Sequence, residues 1–590
     1  MKKFLSRAFN KLRPEDSESS GDEVEDASAK ELSHVGEAAY DCLRKHHNHY
    51  HHELWNVTKG KMISLDYTPR DAFTRNDRTD PVDGHDDWFP EKIGELISRT
   101  EEWCDIVTLS DPTGKFLDAF KNALKALCTR ENPLSNKIVV RILFGNVVSQ
   151  PVNCNRVITE LTKDLPPNAK DRIKLWVGSW RKGVSWNHAK LIAIDGKYLW
   201  TGGHNFWDCH YLKSSPVNDL SILMEGCVAR DGHRFANSQW NYILKKQSTA
   251  WGRFVDKRIP DNIDVPRKAR VTVSEFPFSG AAEFPPIYNP KNTCLHQKQL
   301  RRGPSSKKEL DNELVPVITM GRYGILLKNA RPSDDAFVEM FKAAKSIIRF
   351  ALQDIGPFCI PGTKLAVPGM RWPKEYLNAI ATALWTREVD IEIVLSNPGS
   401  IPNNLPMTEA IYGNGWDCVD VAAEIIKAIK DQFPDAPDHE LRQKVHENLR
   451  VCFLRCPRGG CHYSCGTSLG LHSKHFIVDD VCTYIGSQNL YVCDLAEWGV
   501  VIDSPGTVAD IKKQYWDPIW KASYTTDDCD VDKVMDSLGI DRGAPNKLEL
   551  TKVELEKTKE AMKANMEMRF FDSDSSVSTQ SEGDAKEEEK

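Results

Sequence analysis

Two stretches of the chain, 284 residues apart, carry the same polar residues at the same spacing. The first, NHAKLIAIDGKYLWTGGHN, holds His188, Lys190, Asp195, Gly202, Gly203 and Asn205; the second, LHSKHFIVDDVCTYIGSQN, holds His472, Lys474, Asp479, Gly486, Ser487 and Asn489. In both, Lys follows His by two positions, Asp follows Lys by five, a Gly-rich turn follows Asp by seven, and Asn comes three later. On an extended segment a separation of two puts His and Lys on one face. Such a set suits a phosphodiester centre, where negative charge gathers on the equatorial oxygens during displacement. Two lysines and two asparagine amides converging there would stabilise it. Of two facing imidazoles, a neutral one can attack phosphorus and a protonated one can donate to the departing alkoxide. That scheme requires no metal and no cofactor. Each imidazole also needs a partner on its second nitrogen, and Asp219 (PVNDLSILMEG) and Glu497 (DLAEWGVVID) follow the two motifs, each just before an apolar strand.

The elements that must position these residues also occur twice. In the first half, Glu91–Trp103 reads as a helix, Ile106–Leu109 as a strand, Phe116, Phe120, Leu124 and Leu127 as one helical face, and Lys137–Phe144 (KIVVRILF) as a buried strand. The second half repeats the order with helix Phe337–Lys345, strand Ile347–Leu352, helix Tyr376–Leu384 and strand Val389–Leu395. This alternation predicts an α/β architecture of two related halves, each a mixed β-sheet flanked by helices, as one pseudo-two-fold monomer. Expected boundaries are 1–35 for a basic amphipathic and then acidic N-terminus and 36–255 for the first repeat. Residues 256–330 make a connection that could act as a lid or extra strand, 331–540 the second repeat, and 541–590 a charged helix and acidic tail.

The chain resembles the phospholipase D superfamily, whose HxKxxxxD motif followed by Gly-Ser-x-Asn occurs at His188–Asn205 and His472–Asn489. The resemblance spans roughly residues 36–540. It implies two fused repeats with a single active site at their interface, a covalent phosphohistidine, and hydrolysis or alcohol exchange at a phosphodiester. It further implies His188 as nucleophile and His472 as acid, with Lys190, Lys474, Asn205, Asn489 and Ser487 around the phosphate and a mainly supporting role for Asp195 and Asp479. One departure stands out: Gly203 occupies the place of the usual Ser, so a hydroxyl near the phosphate is missing on that side; with His, Lys, Asp and Asn all retained and Ser487 keeping its hydroxyl, lowered or altered activity is the most that is expected. Both motif aspartates are present, which argues against the tyrosyl-DNA phosphodiesterase branch.

Composition narrows the alternatives. The 590-residue chain is 40% hydrophobic and 27% charged, and its mean hydropathy is −0.47, values of a water-soluble fold with charged ends. No run of eighteen apolar residues could span a bilayer, and Arg7 interrupts the apolar stretch that a secretory leader would need. The expectation is a cytoplasmic protein whose sixteen cysteines are thiols. The net charge of −6 is set by the ends, since residues 15–26 carry seven acids and no base. A near-neutral body argues against a dedicated nucleic-acid binder. Phe4, Leu5, Ala8, Phe9 and Leu12, interleaved with five basic residues, suit a helix lying on an anionic membrane surface.

Other features carry less. The run KHHNHYHH (His46, His47, His49, His51, His52) spreads over several helical faces, and CPRGGCHYSC (Cys456, Cys461, His462, Cys465) lacks a second matching pair, so neither is read as a metal site. Among the tryptophans near the motifs, Trp186 and Trp207 are candidates for lining the site, while Trp180, Trp200 and Trp498 read as core. The reading is a phosphodiesterase acting on glycerophospholipids at a membrane surface. A DNA or RNA nuclease is the weaker enzymatic alternative, and an inactive membrane-associated scaffold the non-enzymatic one.

Overall fold

The computed structural model describes residues 31–70, 88–130, 137–147, 152–182, 185–212, 215–248, 273–277, 285–289, 314–324, 330–360, 363–366, 372–400, 416–457, 460–463, 466–491 and 493–542. The expected membrane-binding segment 1–13, both acidic ends, the charged helix 546–568 and Cys465 lie outside these residues.

Among the described residues, sixteen strands follow one another: β1 (Trp55–Thr68), β2 (Trp103–Thr108), β3 (Ile138–Gly145), β4 (Ile173–Lys182), β5 (Ser185–Trp186), β6 (Leu191–Ile194), β7 (Tyr198–Gly202), β8 (Asp219–Gly226), β9 (Val273–Phe276), β10 (Val315–Tyr323), β11 (Ile347–Leu352), β12 (Asp390–Leu395), β13 (Leu449–Phe453), β14 (Lys474–Val478), β15 (Cys482–Gly486) and β16 (Ala496–Asp503). They lie in the order β13-β12-β11-β14-β15-β16-β10-β1-β8-β7-β6-β2-β3-β4-β5, with β9 paired to β4. Outward from the antiparallel β10–β1 joint, both arms read alike. First comes the strand after the motif (β16 or β8), then the motif hairpin (β15 and β14, or β7 and β6), then three parallel strands (β11, β12, β13, or β2, β3, β4).

The parallel strands are the near-continuous apolar runs seen in the sequence, as expected where helices cover both faces of a sheet. On the first arm the helices Trp88–Ser98 and Gly114–Thr129 bury Phe89, Ile93, Phe116, Phe120, Leu124 and Leu127 against β2 and β3. On the second, Pro332–Ala343, Glu375–Arg387 and Cys418–Gln432 bury Phe337, Phe341, Leu377, Ile380, Ile425 and Ile429. A third core lies on the middle of the sheet, where Phe235 and Trp240 of helix Val228–Ser248 meet Trp498, Val500 and Ile502 of β16.

Three sequence expectations move. The helix expected over 91–103 spans Trp88–Ser98, and Trp103 already begins β2. The 256–330 connection contains β10, which pairs with both β1 and β16 and is one of the two strands joining the arms. The helix His34–His47, assigned to the first repeat by its place in the chain, belongs spatially to the second. Its Val35, Ala39 and Leu43 pack in the core of Phe337 and Phe341, and the backbone N–H of Ser33 donates to Asp503 Oδ2 at 2.8 Å. Short apolar helices carry no label for the arm they will cover, so chain order alone misplaces them.

Candidate active site

His188 and Lys190 lie in the segment just before β6; His472 precedes β14, and Lys474 is its first residue. Each histidine is pinned to the opposite arm through its main chain. The His188 N–H donates to Ala496 O at 2.7 Å, and the His472 N–H donates to Asn218 O at 2.7 Å. Each therefore lies beside the carboxylate of the other arm. His188 Nδ1 is 2.9 Å from Glu497 Oε1, and His472 Nδ1 is 2.7 Å from Asp219 Oδ2. The sequence placed each carboxylate after its own motif; the fold crosses them, and no linear spacing could have shown it. A carboxylate at Nδ1 holds the proton there and leaves Nε2 for chemistry.

The lysines turn back onto the histidine main chain. Lys190 Nζ donates to His188 O at 2.7 Å, and Lys474 Nζ donates to His472 O and, at 3.1 Å, to Gln353 Oε1. Both lysines act on both imidazoles. Burial, then Lys190, then Lys474 hold His188 well below its usual range. Burial, followed by Lys474, pushes His472 down to about 3 against the pull of Asp219. Burial also lowers Lys474 to about 8, and burial followed by Lys474 holds Lys190 well below its usual range. Such mutual influence places the four side chains around one centre. Asp219 is held below its ordinary range by His472, His204 and Lys474 despite its burial, whereas burial raises Glu497. The lysines and carboxylates are at most 2% exposed, while His188 and His472 keep 7% and 5%, so solvent reaches the cluster at the imidazoles.

Asn205 and Asn489 stand at the ends of the motifs. The Asn205 N–H donates to Tyr211 Oη at 3.1 Å, and Tyr211 donates in turn to Asp219 Oδ2 at 2.8 Å. Asn489 gives its backbone N–H and its Nδ2 to Glu497 Oε1 at 3.2 and 3.3 Å. The buried Oδ1 atoms of both asparagines have no partner among the described residues.

Asp195, Asp479 and Ser487 are spent elsewhere. Asp195, at φ 54°, accepts the N–H groups of Glu101, Glu102 and Trp103 at 2.7–2.9 Å. Asp479, at φ 53°, does the same for Lys345, Ser346 and Ile347 at 2.8–3.0 Å and pairs with His34 Nε2 at 2.8 Å. Each ties its hairpin turn to the loop entering the first parallel strand. The Ser487 hydroxyl donates to Trp498 O at 3.2 Å and accepts from Trp498 N at 3.1 Å. At Gly203 there is no gap left by an absent serine: a Cβ there would collide with Asp219 Oδ1 and stand 3.1 Å from His472 O. The adjacent His204 is a core residue, bonded to Thr68 Oγ1 at 3.0 Å and Ser221 Oγ at 2.8 Å.

Trp207 reaches the cluster through His210, whose ring lies 4.8 Å from it and 6.4 Å from His472. Trp186 packs with Phe358, Tyr491 and Leu495. Trp180, Trp200 and Trp498 are fully buried in the core. Among the described residues no cluster of three metal-ligating side chains occurs, and the histidine run is dispersed, His47 pairing with Asp335 and His51 stacking on His52. No helix among them is long and apolar enough to cross a membrane.

Sequence reasoning missed Gln353, His210, Tyr211 and Arg322. Arg322 is fully buried and joins Glu497 Oε2, Asp334 Oδ1 at 2.5 Å and Asn489 O at 3.0 Å. A signal for it existed, because an arginine inside the apolar strand VPVITMGRY must find buried anions.

The chain is 24% identical over 477 residues to a phospholipase D of Streptomyces antibioticus, covering 73% of this chain and 76% of that one. No family model matches. Among solved structures, phosphatidylserine synthase of Haemophilus influenzae Rd KW20 aligns over 85% of this chain and 96% of its own at 13% identity and a TM-score of 0.45. Polyphosphate kinase of Porphyromonas gingivalis aligns over 76% and 49% at 9% identity and a TM-score of 0.33. Over about three quarters of its length, then, the chain is similar to a phospholipase D.

Proposed function

We propose that the protein is a phosphodiesterase that hydrolyses glycerophospholipids or exchanges their head groups through a phosphohistidine. One observation carries the reading: two imidazoles from opposite arms, each buttressed at Nδ1 by a carboxylate of the other arm, share the field of the same two lysines. Neutral His188 attacks phosphorus through Nε2. As the P–Nε2 bond forms, the bond to the head-group oxygen breaks, and His472 Nε2 gives its proton to the leaving alkoxide. His472 then takes a proton from water or an alcohol. The oxygen so activated displaces His188 and yields phosphatidic acid or a new phosphatidyl ester. Lys190 and Lys474 stabilise the charge on the equatorial oxygens. Burial first, and then these lysines, depress His472; a bound phosphodiester anion offsets the lysines and restores the proton that the acid step needs.

The matched relative's name, phospholipase D, supports a phospholipid substrate. The pattern of residues 1–13 supports attachment to a membrane surface, and one chain carrying both motifs supports a working monomer. Phosphatidylcholine vesicles with and without a primary alcohol, beside a single-stranded DNA digestion, test the reading. Phosphatidic acid and phosphatidyl alcohol are expected, with losses of about 10³-fold or more in His188→Asn and His472→Asn. DNA cleavage without lipid turnover would transfer the same chemistry to a nuclease, and undiminished lipid turnover in both variants would end the mechanism.

A further inference from the structure

The two arms match strand for strand, yet the residues behind the two carboxylates differ. In register, Arg322 of β10 stands opposite Glu497 of β16, and Thr68 of β1 stands opposite Asp219 of β8. Arg322 forms a buried ion pair with Glu497 Oε2, the oxygen turned away from His188, and a second with Asp334, itself held by Tyr376 and Gln488. Thr68 carries no charge and bonds instead to His204 and Val217 O. Among the described residues, Asp219 has His472 as its sole ion-pair partner; its other side-chain bonds come from neutral donors, Tyr211 Oη and the Leu220 N–H.

We propose that Arg322 is a positioning residue that makes the two histidines chemically unequal. By pairing with the outer oxygen of Glu497 it withdraws negative charge from His188, while Asp219 directs its whole charge to His472. The inference deepens the two-histidine reading above and rests on it. His188, facing a partly neutralised carboxylate, stays unprotonated and ready to attack; His472, facing a full one, is the better proton carrier. The lysines do not create this difference, because Lys190 and Lys474 act on both imidazoles. Asp334, Cys493, Tyr376 and Tyr484 also face Arg322, and His204, Lys474, Lys190, Tyr211 and Tyr515 also face Asp219. The ion pair of Lys92 with Asp66 on the first arm stops two residues short of Thr68, the position matching Arg322. Asp334 completes the device as a counterweight that shares the guanidinium with Glu497.

Imidazole titration by NMR in the substrate-free protein reads the effect directly, with His188 and His472 assigned by the signals lost in their Asn variants. Inorganic phosphate is added to bring both rings into the accessible pH range. In Arg322→Gln the titration of His188 should move up by about one pH unit while His472 stays in place, since an added full charge at contact distance shifts a neighbour by about one to three units. Arg322→Lys, which keeps the charge, should return His188 toward its wild-type value. Asp334→Asn frees the guanidinium for Glu497 and should move His188 the opposite way, which serves as the test should Arg322→Gln fail to fold. An unmoved His188 in either variant, or equal movement of both histidines, would overturn the assignment. The titration needs no turnover, so a protein inactive on every phosphodiester would refute the proposed function and leave this result standing.

Discussion

Gly203→Ser introduces the residue that stands at the matching position of the other motif, Ser487, and the geometry makes it harmful. The new Cβ would overlap Asp219 Oδ1 and come within 3.1 Å of the His472 carbonyl, with Asp219 fully buried and without room to retreat. In the other arm Ser487 is accommodated because Glu497 is one methylene longer and its carboxylate lies over Asn489. Overpacking of this kind costs about 1–3 kcal/mol, and displacing Asp219 weakens a charge-assisted hydrogen bond worth about 1.5–3 kcal/mol. If one to two of those kilocalories fall on the transition state, kcat/KM drops by about 5- to 30-fold. Steady-state turnover of phosphatidylcholine, with thermal unfolding run alongside, checks both parts. Activity at or above wild type with an unchanged Tm would show that the serine fits and that the carboxylate contact at Gly203 is misread.

Two further outcomes follow from the same contacts. Asp219→Asn should lower kcat by about 10³–10⁴-fold, the scale for losing the carboxylate that orients a catalytic imidazole, while substrate binding to the lysines persists as a near-constant KM. Asp479→Asn should leave kcat unchanged and lower stability by about 1.5–3 kcal/mol at pH 7, because the lost hydrogen bonds are those of a charged acceptor. Main-chain N–H groups hold Asp479 below its ordinary value of 3.8, so its stabilisation is complete above that pH and fades as the pH falls below it. Denaturant unfolding at pH 7 and pH 3 should show the gap between wild type and variant narrowing.

The legible part of the molecule was what repeats locally. The apolar runs of β3, β11 and β12 and the one-sided face of Gly114–Thr129 follow from periodicity, and His188 and Lys190 stand together beside β6. What escaped was set by distant pairing. The exchange of Asp219 and Glu497 between arms depends on the β10–β1 joint, and β10 lies in a segment whose flanks read as a linker. Gly203 looked like a lost hydroxyl because composition cannot show a carboxylate occupying the space. Ser487 looked available for phosphate, whereas the register of β15 on β16 commits its hydroxyl to Trp498.

The crossed carboxylates also predict that Glu497 and Asp cannot be exchanged, although the equivalent position in the other arm is Asp219. Glu497 spans two partners, His188 at 2.9 Å through Oε1 and Arg322 through Oε2. Removing one methylene withdraws the carboxylate by about 1.5 Å, which takes the His188 contact beyond hydrogen-bond range if the backbone of β16 stays in its ladder. Should the shorter side chain keep Arg322, His188 loses its orienting partner; should it follow His188, a buried guanidinium keeps Asp334 and the Asn489 carbonyl but loses one of its two carboxylates. Removing one member of a buried ion pair costs about 3–5 kcal/mol, so Glu497→Asp should show either a kcat loss of about 10²-fold or more with a stable fold, or a large drop in Tm. Parallel measurement of turnover and unfolding decides which partner the carboxylate keeps. A variant with wild-type values for both would mean that β16 can shift to carry Asp to both partners, and that the length difference between Asp219 and Glu497 is not what fits each carboxylate to its arm.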